Sequence, residues 1–213
     1  YQHHRAKWIY GWEYPFIPGF RFPGSYPTGP GRVTMTAQVG FKPAVKVFLF
    51  WLLFLVFYGL YKAWPIFPIS IVSGITESNF QHYKTTFFTF LILDGIEYLV
   101  YRRQITSRSD FWYLRLLVAV FAPWMVFLLW YLSPAVYGDK MPSIPLEIVY
   151  SNLMTILAGY FAVTFERGFA ALKFSPSLKA ITITLTIVSV ILYIVFTFSH
   201  LPWADVFIEP DWK

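Results

Sequence analysis

Five apolar runs, separated by short polar connectors, organise this chain. The first, over 47–63, reads VFLFWLLFLVFYGLYKA. Lys46 and Lys62 flank its apolar body and read as anchors that snorkel to the two membrane interfaces. The stretch 65–75 is apolar but short and broken by Pro65 and Pro68, so it is expected to lie in the interface or dip in and return. A second run, over 83–102, is interrupted by Asp94 and Glu97. The third, 111–132, carries Arg115 near its start and Pro123 as an expected kink. The segment 133–145 reads as a loop, and the fourth and fifth runs cover 146–166 and 180–199. Runs of this length suit a hydrocarbon core of about 30 Å. The pattern predicts an all-α integral membrane protein with about five transmembrane helices in a domain spanning 44–200.

The carboxylates make the second run the least apolar, and the basic residues argue that it crosses. With five spans, the N-terminal segment and the connectors after the second and fourth runs share one side. That side collects Arg5, Lys7, Arg21, Arg32, Lys42, Lys46, Arg102, Arg103, Arg108, Arg115, Arg167, Lys173 and Lys179, leaving Lys62, Lys84, Lys140 and Lys213 for the other. This bias places the N-terminus inside and the C-terminus outside. Without a second crossing, the arginines at 102–108 would change sides and the bias would fail. The expected location is a prokaryotic cytoplasmic membrane.

Residues 1–43 are rich in Gly, Pro and aromatics, which disfavours a long helix. They read as an extended arm lying along the membrane surface or a partner. Their opening, YQHHRAKWIYGWEYPF, lacks a continuous apolar core and does not read as a signal peptide. Residues 201–213 form an acidic, amphipathic outer tail.

Composition agrees with a lipid environment. Charged residues make up 13% of the chain, against roughly a quarter in soluble domains. The net charge of +6 sits beside the apolar runs, where orientation and anionic lipid account for it, and nucleic acid is not an expected partner. The absence of cysteine excludes disulfides and thiolate metal sites.

Helices in lipid pack through small and weakly polar residues. Thr182, Thr186, Ser189 and Tyr193 form one such seam. Ser151, Thr155, Ala158 and Ala162, beside Gly159, form another.

Two groups of polar residues are candidates for chemistry. Asp94 and Glu97 lie inside a span, where ionisable residues are functional candidates by default. Glu97 and Arg115 each lie about 7 Å in from the same side by helical rise, so an ion pair between them is expected. The second group is SGITESNFQHYK, at the outer mouth of the same span. Thr76 or Ser78 is placed to cap the helix, with Glu77 favourable at its start. Topology brings Glu77, Gln81, His82 and Lys84 to the level of Glu147, Asn152 and His200, an outer polar cluster. Within it His82, His200, Glu77 and Glu147 are candidate metal ligands, although their spacing matches no established motif. Nothing in the chain points to a particular cofactor.

ITESNFQHYKTTFF resembles the signature of an uncharacterised family of small bacterial and archaeal membrane proteins, in which an N-E-S-x-x-E-H-x-K stretch precedes an apolar helix. Glu77, Ser78, His82 and Lys84 match it, while Thr76 replaces Asn and Gln81 replaces an acid. FTFSHLPWADVFIEP resembles that family's ending. The resemblance spans about residues 44–210 in layout and implies a polytopic fold, with attention drawn to Glu77 and His82. The family has no assigned activity, so no reaction follows.

Three functional expectations result. The first is an accessory or structural subunit of a larger membrane complex, packing on other subunits through its helices and arm. The second is a small transporter or proton-coupled carrier using Asp94, Glu97 and the outer Glu77/His82 cluster. The third is a metal-dependent membrane enzyme. Of these the non-catalytic subunit takes precedence, because the long aromatic arm has little of its own to pack against, the outer tail is acidic and no catalytic constellation is evident.

Overall fold

A computed structural model describes residues 39–138, 143–199 and 203–208. Most of the arm, His200 and most of the tail lie outside these residues. Regular structure within them is entirely helical. The helices are α1 (Pro43–Ala63), α2 (Phe67–Val72), α3 (Asn79–Tyr101), α4 (Arg108–Trp130), α5 (Leu132–Tyr137), α6 (Ile144–Gly168) and α7 (Pro176–Phe198), followed by a 3-10 turn at Asp205–Phe207.

Four of these helices, α1, α4, α6 and α7, are long and apolar enough to cross a membrane. Several begin before the apolar runs do. Pro lies in the first turn of α1, α6 and α7, where its missing N–H costs nothing and its fixed φ starts the helix. Ser107 and Ser175 cap α4 and α7, their hydroxyls accepting from the Asp110 and Leu178 amides. The cap expected before α3 differs: Ser78 holds the N-cap position without a side-chain cap bond, and Thr76 donates to the Ser78 hydroxyl instead. Helix α4 runs on through Pro123. The segment read as a loop from 133 contains α5, and the short apolar stretch after α1 contains α2.

The polar contacts fix the directions of the helices. Near one end, Lys46 at the start of α1 reaches Asp94 and Glu97 late in α3, and Glu166 late in α6. Near the other, Lys62 at the end of α1 pairs with Glu77 just before α3. There too, Lys84 early in α3 donates to Thr197 late in α7. Arg115 early in α4 meets Glu97 and Glu166 at the first end, so α1, α4 and α7 run one way, and α3 and α6 run the other.

Helix α3 is the core of this bundle, although it is the helix most diluted by polar residues. It buries Gln81, Lys84, Thr85, Thr86, Thr89, Asp94 and Glu97 together with Phe87, Phe90 and Leu93. Helix α7, by contrast, buries only Thr182 and Thr197 among its described side chains and exposes Ile183, Ile187, Ile191, Leu192 and Val195. Polar residues inside and apolar residues outside suit a lipid solvent, where backbone and polar groups must find partners within the protein. Both small-residue seams face the bundle. Thr182 is buried, with Thr186, Ser189 and Tyr193 half-buried along the same side of α7. Thr155, Ala158, Gly159 and Ala162 are buried on α6.

At mid-height an aromatic plug joins three helices. Phe50 of α1 stacks on Phe90 of α3, with ring centroids 4.3 Å apart. Phe50 also rests on Gly159 of α6, where an added Cβ would lie 2.6 Å from its Cδ1. Glycine is what lets α1 approach α6 this closely.

Candidate functional site

The principal site is a buried ion network at the Lys46 end. Lys46 lies one turn into α1 and is 1% exposed. It does not snorkel outward as the sequence suggests. Its Nζ donates to Asp94 Oδ1 at 2.7 Å, Glu97 Oε2 at 2.8 Å and Glu166 Oε2 at 2.7 Å. The ammonium has three donors, and three carboxylates accept them. An anchor at the interface would need only water, but this lysine faces inward between two helices that each bring an acid.

Arg115 closes the network from α4. Its guanidinium meets Glu97 Oε2 at 3.0 Å and Glu166 Oε1 at 3.2 Å. The Phe111 ring lies beneath it, 3.6 Å from Cζ. The Glu97–Arg115 contact expected from helical depth is therefore present, within a larger assembly. Glu97 Oε1 also accepts from the Phe41 amide at 2.8 Å. Gly40 permits this: a Cβ there would stand 2.6 Å from Glu97 Oε1. Arg167 donates to the Phe41 carbonyl at 3.3 Å, tying the same residue to α6.

Three carboxylates against two cations leave one formal negative charge in a water-poor setting. The oxygen that shares in it least is Asp94 Oδ2, which is buried and has no hydrogen-bond partner among the described residues. Such an atom is costly unless it carries or exchanges a proton.

Asp94, Glu97 and Glu166 also form the carboxylate group whose oxygens converge within 4.8 Å. Oxygen ligands suit a hard cation. Here, however, the Lys46 ammonium stands within hydrogen-bond reach of all three acids, where such a cation would sit. The donor set fits a metal only if Lys46 withdraws.

A cavity of about 430 Å³ lies at the opposite end of the same helices. Glu77, His82, Glu147 and Asn152 of the outer polar group all line it. The His82 ring stacks on Tyr58 at 5.2 Å, Phe54 at 6.2 Å and Trp130 at 6.0 Å. Asn152 accepts from the Trp51 indole at 2.9 Å.

The rest of the outer group is not gathered there. Gln81 is buried and accepts from the Ile75 amide. Lys84 points to the α2–α7 side, donating to the Ser70 carbonyl at 2.7 Å and to Thr197 at 3.0 Å. Helical spacing explains the split, since residues two apart on a helix do not share a face. His200 lies outside the described residues. Among the described candidate metal ligands, His82 is packed between aromatic rings and Glu77 pairs with Lys62. The residues that converge for a cation are instead Asp94, Glu97 and Glu166.

Lys46 and Glu166 are the functional candidates that sequence reasoning missed. Lys46 reads as an interfacial anchor, and Glu166, the last residue of the fourth run, draws no reading of its own. Depth places Lys46, Glu97, Arg115 and Glu166 about a turn or two from the same side, but it does not say which helix faces meet.

The four long apolar helices and the polar interior they enclose make this an integral membrane protein. No family model, curated protein or solved structure matches the chain.

Proposed function

We propose that this protein is a small proton-coupled carrier whose inner gate is the Lys46–Asp94–Glu97–Glu166–Arg115 network. One observation carries the reading. The ion network closes one end of the interface between α1, α3, α4 and α6, and the cavity opens at the other end of that interface, with the Phe50–Phe90 plug between them. A closed end, a cavity and a narrow plug along one path make up one state of an alternating-access cycle. Protonation of a carboxylate in the network would loosen its hold on Lys46, and α1 would then be free to move relative to α3 and α6.

In this reading α3 is a fifth span. It has 23 residues, about 34 Å of helix, and it meets its neighbours at both of their ends. The charge bias supports an N-terminus inside and a C-terminus outside, with the ion network towards the cytoplasm. The accessory-subunit reading rests chiefly on the N-terminal arm, most of which lies outside the described residues. The metal-enzyme reading requires displacement of Lys46.

Accessibility measurements test the carrier without knowledge of its substrate. The chain has no native cysteine, so a single introduced thiol reports cleanly. Thr155→Cys lines the cavity and Ala162→Cys lies on the closed half of the same helix. Adding Glu97→Gln, or lowering the pH, is expected to raise maleimide labelling of Ala162→Cys and lower that of Thr155→Cys. Labelling that changes at neither end, or in the same direction at both, overturns the carrier reading.

A further inference from the structure

We infer that the outer cavity is a binding site for an organic ammonium, either a soluble amine or quaternary amine or the headgroup of a lipid. This inference rests on the carrier reading for its physiological role and on its own observations for the chemistry.

The walls of the cavity are aromatic and acidic. Phe54, Tyr58 and Trp130 surround His82, and Glu77 and Glu147 stand among the lining residues, while no Lys or Arg does among the described residues. Aromatic faces attract cations through the ring quadrupole, most strongly where water is excluded. The volume of about 430 Å³ falls within the usual range for small-molecule sites, about 300–1,000 Å³.

The second observation is that an ammonium already rests against two of the lining residues, Tyr58 and Glu77. Lys62 Nζ sits 5.3 Å from the centroid of the Tyr58 ring and pairs with Glu77. Its side chain is 63% exposed, so it is held loosely. The Tyr58–Glu77 corner thus accommodates a substituted ammonium from within the chain, and a free one of similar chemistry competes for the same place. Lys62 acts as a tethered competitor: it shields the corner when the cavity is empty and swings into water when a ligand enters.

Choline is a suitable probe, with 3,3-dimethylbutan-1-ol as a neutral analogue of the same shape. Binding is measured by equilibrium dialysis of labelled choline against the full chain in phosphatidylglycerol nanodiscs. Saturable binding is expected, with the neutral analogue competing about tenfold more weakly, the worth of one desolvated cation–π contact. Tyr58→Leu is expected to weaken choline by a similar factor and leave the analogue unchanged. Lys62→Gln, at an exposed position that folding tolerates, is expected to tighten choline. Equal affinity for choline and its analogue, or no tightening in Lys62→Gln, overturns the assignment. Loss of choline binding in phosphatidylcholine nanodiscs identifies the headgroup as occupant, and retention identifies a soluble cation. Binding without reciprocal accessibility changes defeats the carrier reading alone. Reciprocal changes without choline binding defeat the ammonium assignment alone.

Discussion

Replacing Lys46 by Met keeps the length of the side chain and removes its charge, leaving three buried carboxylates to face Arg115 alone. In the wild type the ammonium meets the three acids at 2.7, 2.8 and 2.7 Å. At an effective dielectric constant of about 20, each pair corresponds to roughly 6 kcal/mol of gross attraction. Desolvation offsets much of that in the wild type, but the variant keeps the desolvated acids and loses their partner. Removing one member of a buried pair costs about 3–5 kcal/mol, and Lys46→Met is expected to fall in that range. The unfolding equilibrium should then shift by about 10²–10⁴-fold.

The assay is reversible unfolding in bicelles under increasing denaturing detergent, followed by helical circular dichroism. Adding Asp94→Asn restores the formal charge of the cluster while Arg115 keeps Glu97 and Glu166. The double variant is therefore expected to be more stable than the sum of the two single losses implies, with a coupling of about 0.5–3 kcal/mol. Wild-type stability in Lys46→Met, or strict additivity in the double variant, would refute the argument that the ammonium neutralises this cluster.

Three further outcomes follow from local geometry. Gly159→Ala drives a methyl against Phe50 and is expected to cost about 1–3 kcal/mol, with Phe50→Leu in the same chain recovering part of it in the same unfolding assay. Gly40→Ala crowds Glu97 Oε1 and disrupts the hydrogen bond it accepts from the Phe41 amide. It is expected to cost about 1–3 kcal/mol and to increase hydrogen exchange at Phe41. Ser107→Cys, in the connector after α3, is expected to resist impermeant maleimide in intact cells and to react after permeabilisation. Labelling from outside would show that α3 does not cross.

The apolar runs made α1, α4, α6 and α7 legible because lipid-facing helices must be apolar over their whole length. Helix α3 was legible as a helix from the second apolar run, but its many buried polar residues set it apart from the four long apolar helices, and the arginines beyond it bear only on the proposed crossing. Helices α1, α6 and α7 begin before their apolar runs because Pro43, Pro145 and Pro176 occupy their first turns. The pairing of Glu97 with Arg115 could be read from depth along two helices joined by a short connector. Glu166 could not be reached that way, because its contact with Lys46 joins residues 120 positions apart, and nothing local records which faces of α1 and α6 meet. The outer cavity was half legible. Level in the membrane brought Glu77, His82, Glu147 and Asn152 together, but level alone does not distinguish the His82 face of α3 from the Lys84 face.

The ion network also bears on how the chain enters the membrane during synthesis. A helix carrying Lys84, Asp94 and Glu97 is poorly suited to leave the translocon for lipid by itself. Lys46, made earlier and already in α1, supplies the counter-charge for both acids as soon as α3 emerges. With α3 as the proposed fifth span, α1 and α3 are suited to partition into the bilayer together as a hairpin. Arg115 and Glu166 join as α4 and α6 follow. The order of the charges along the chain becomes an order of assembly, and loss of Lys46 would be felt first as failed insertion of nascent chains that end after α3.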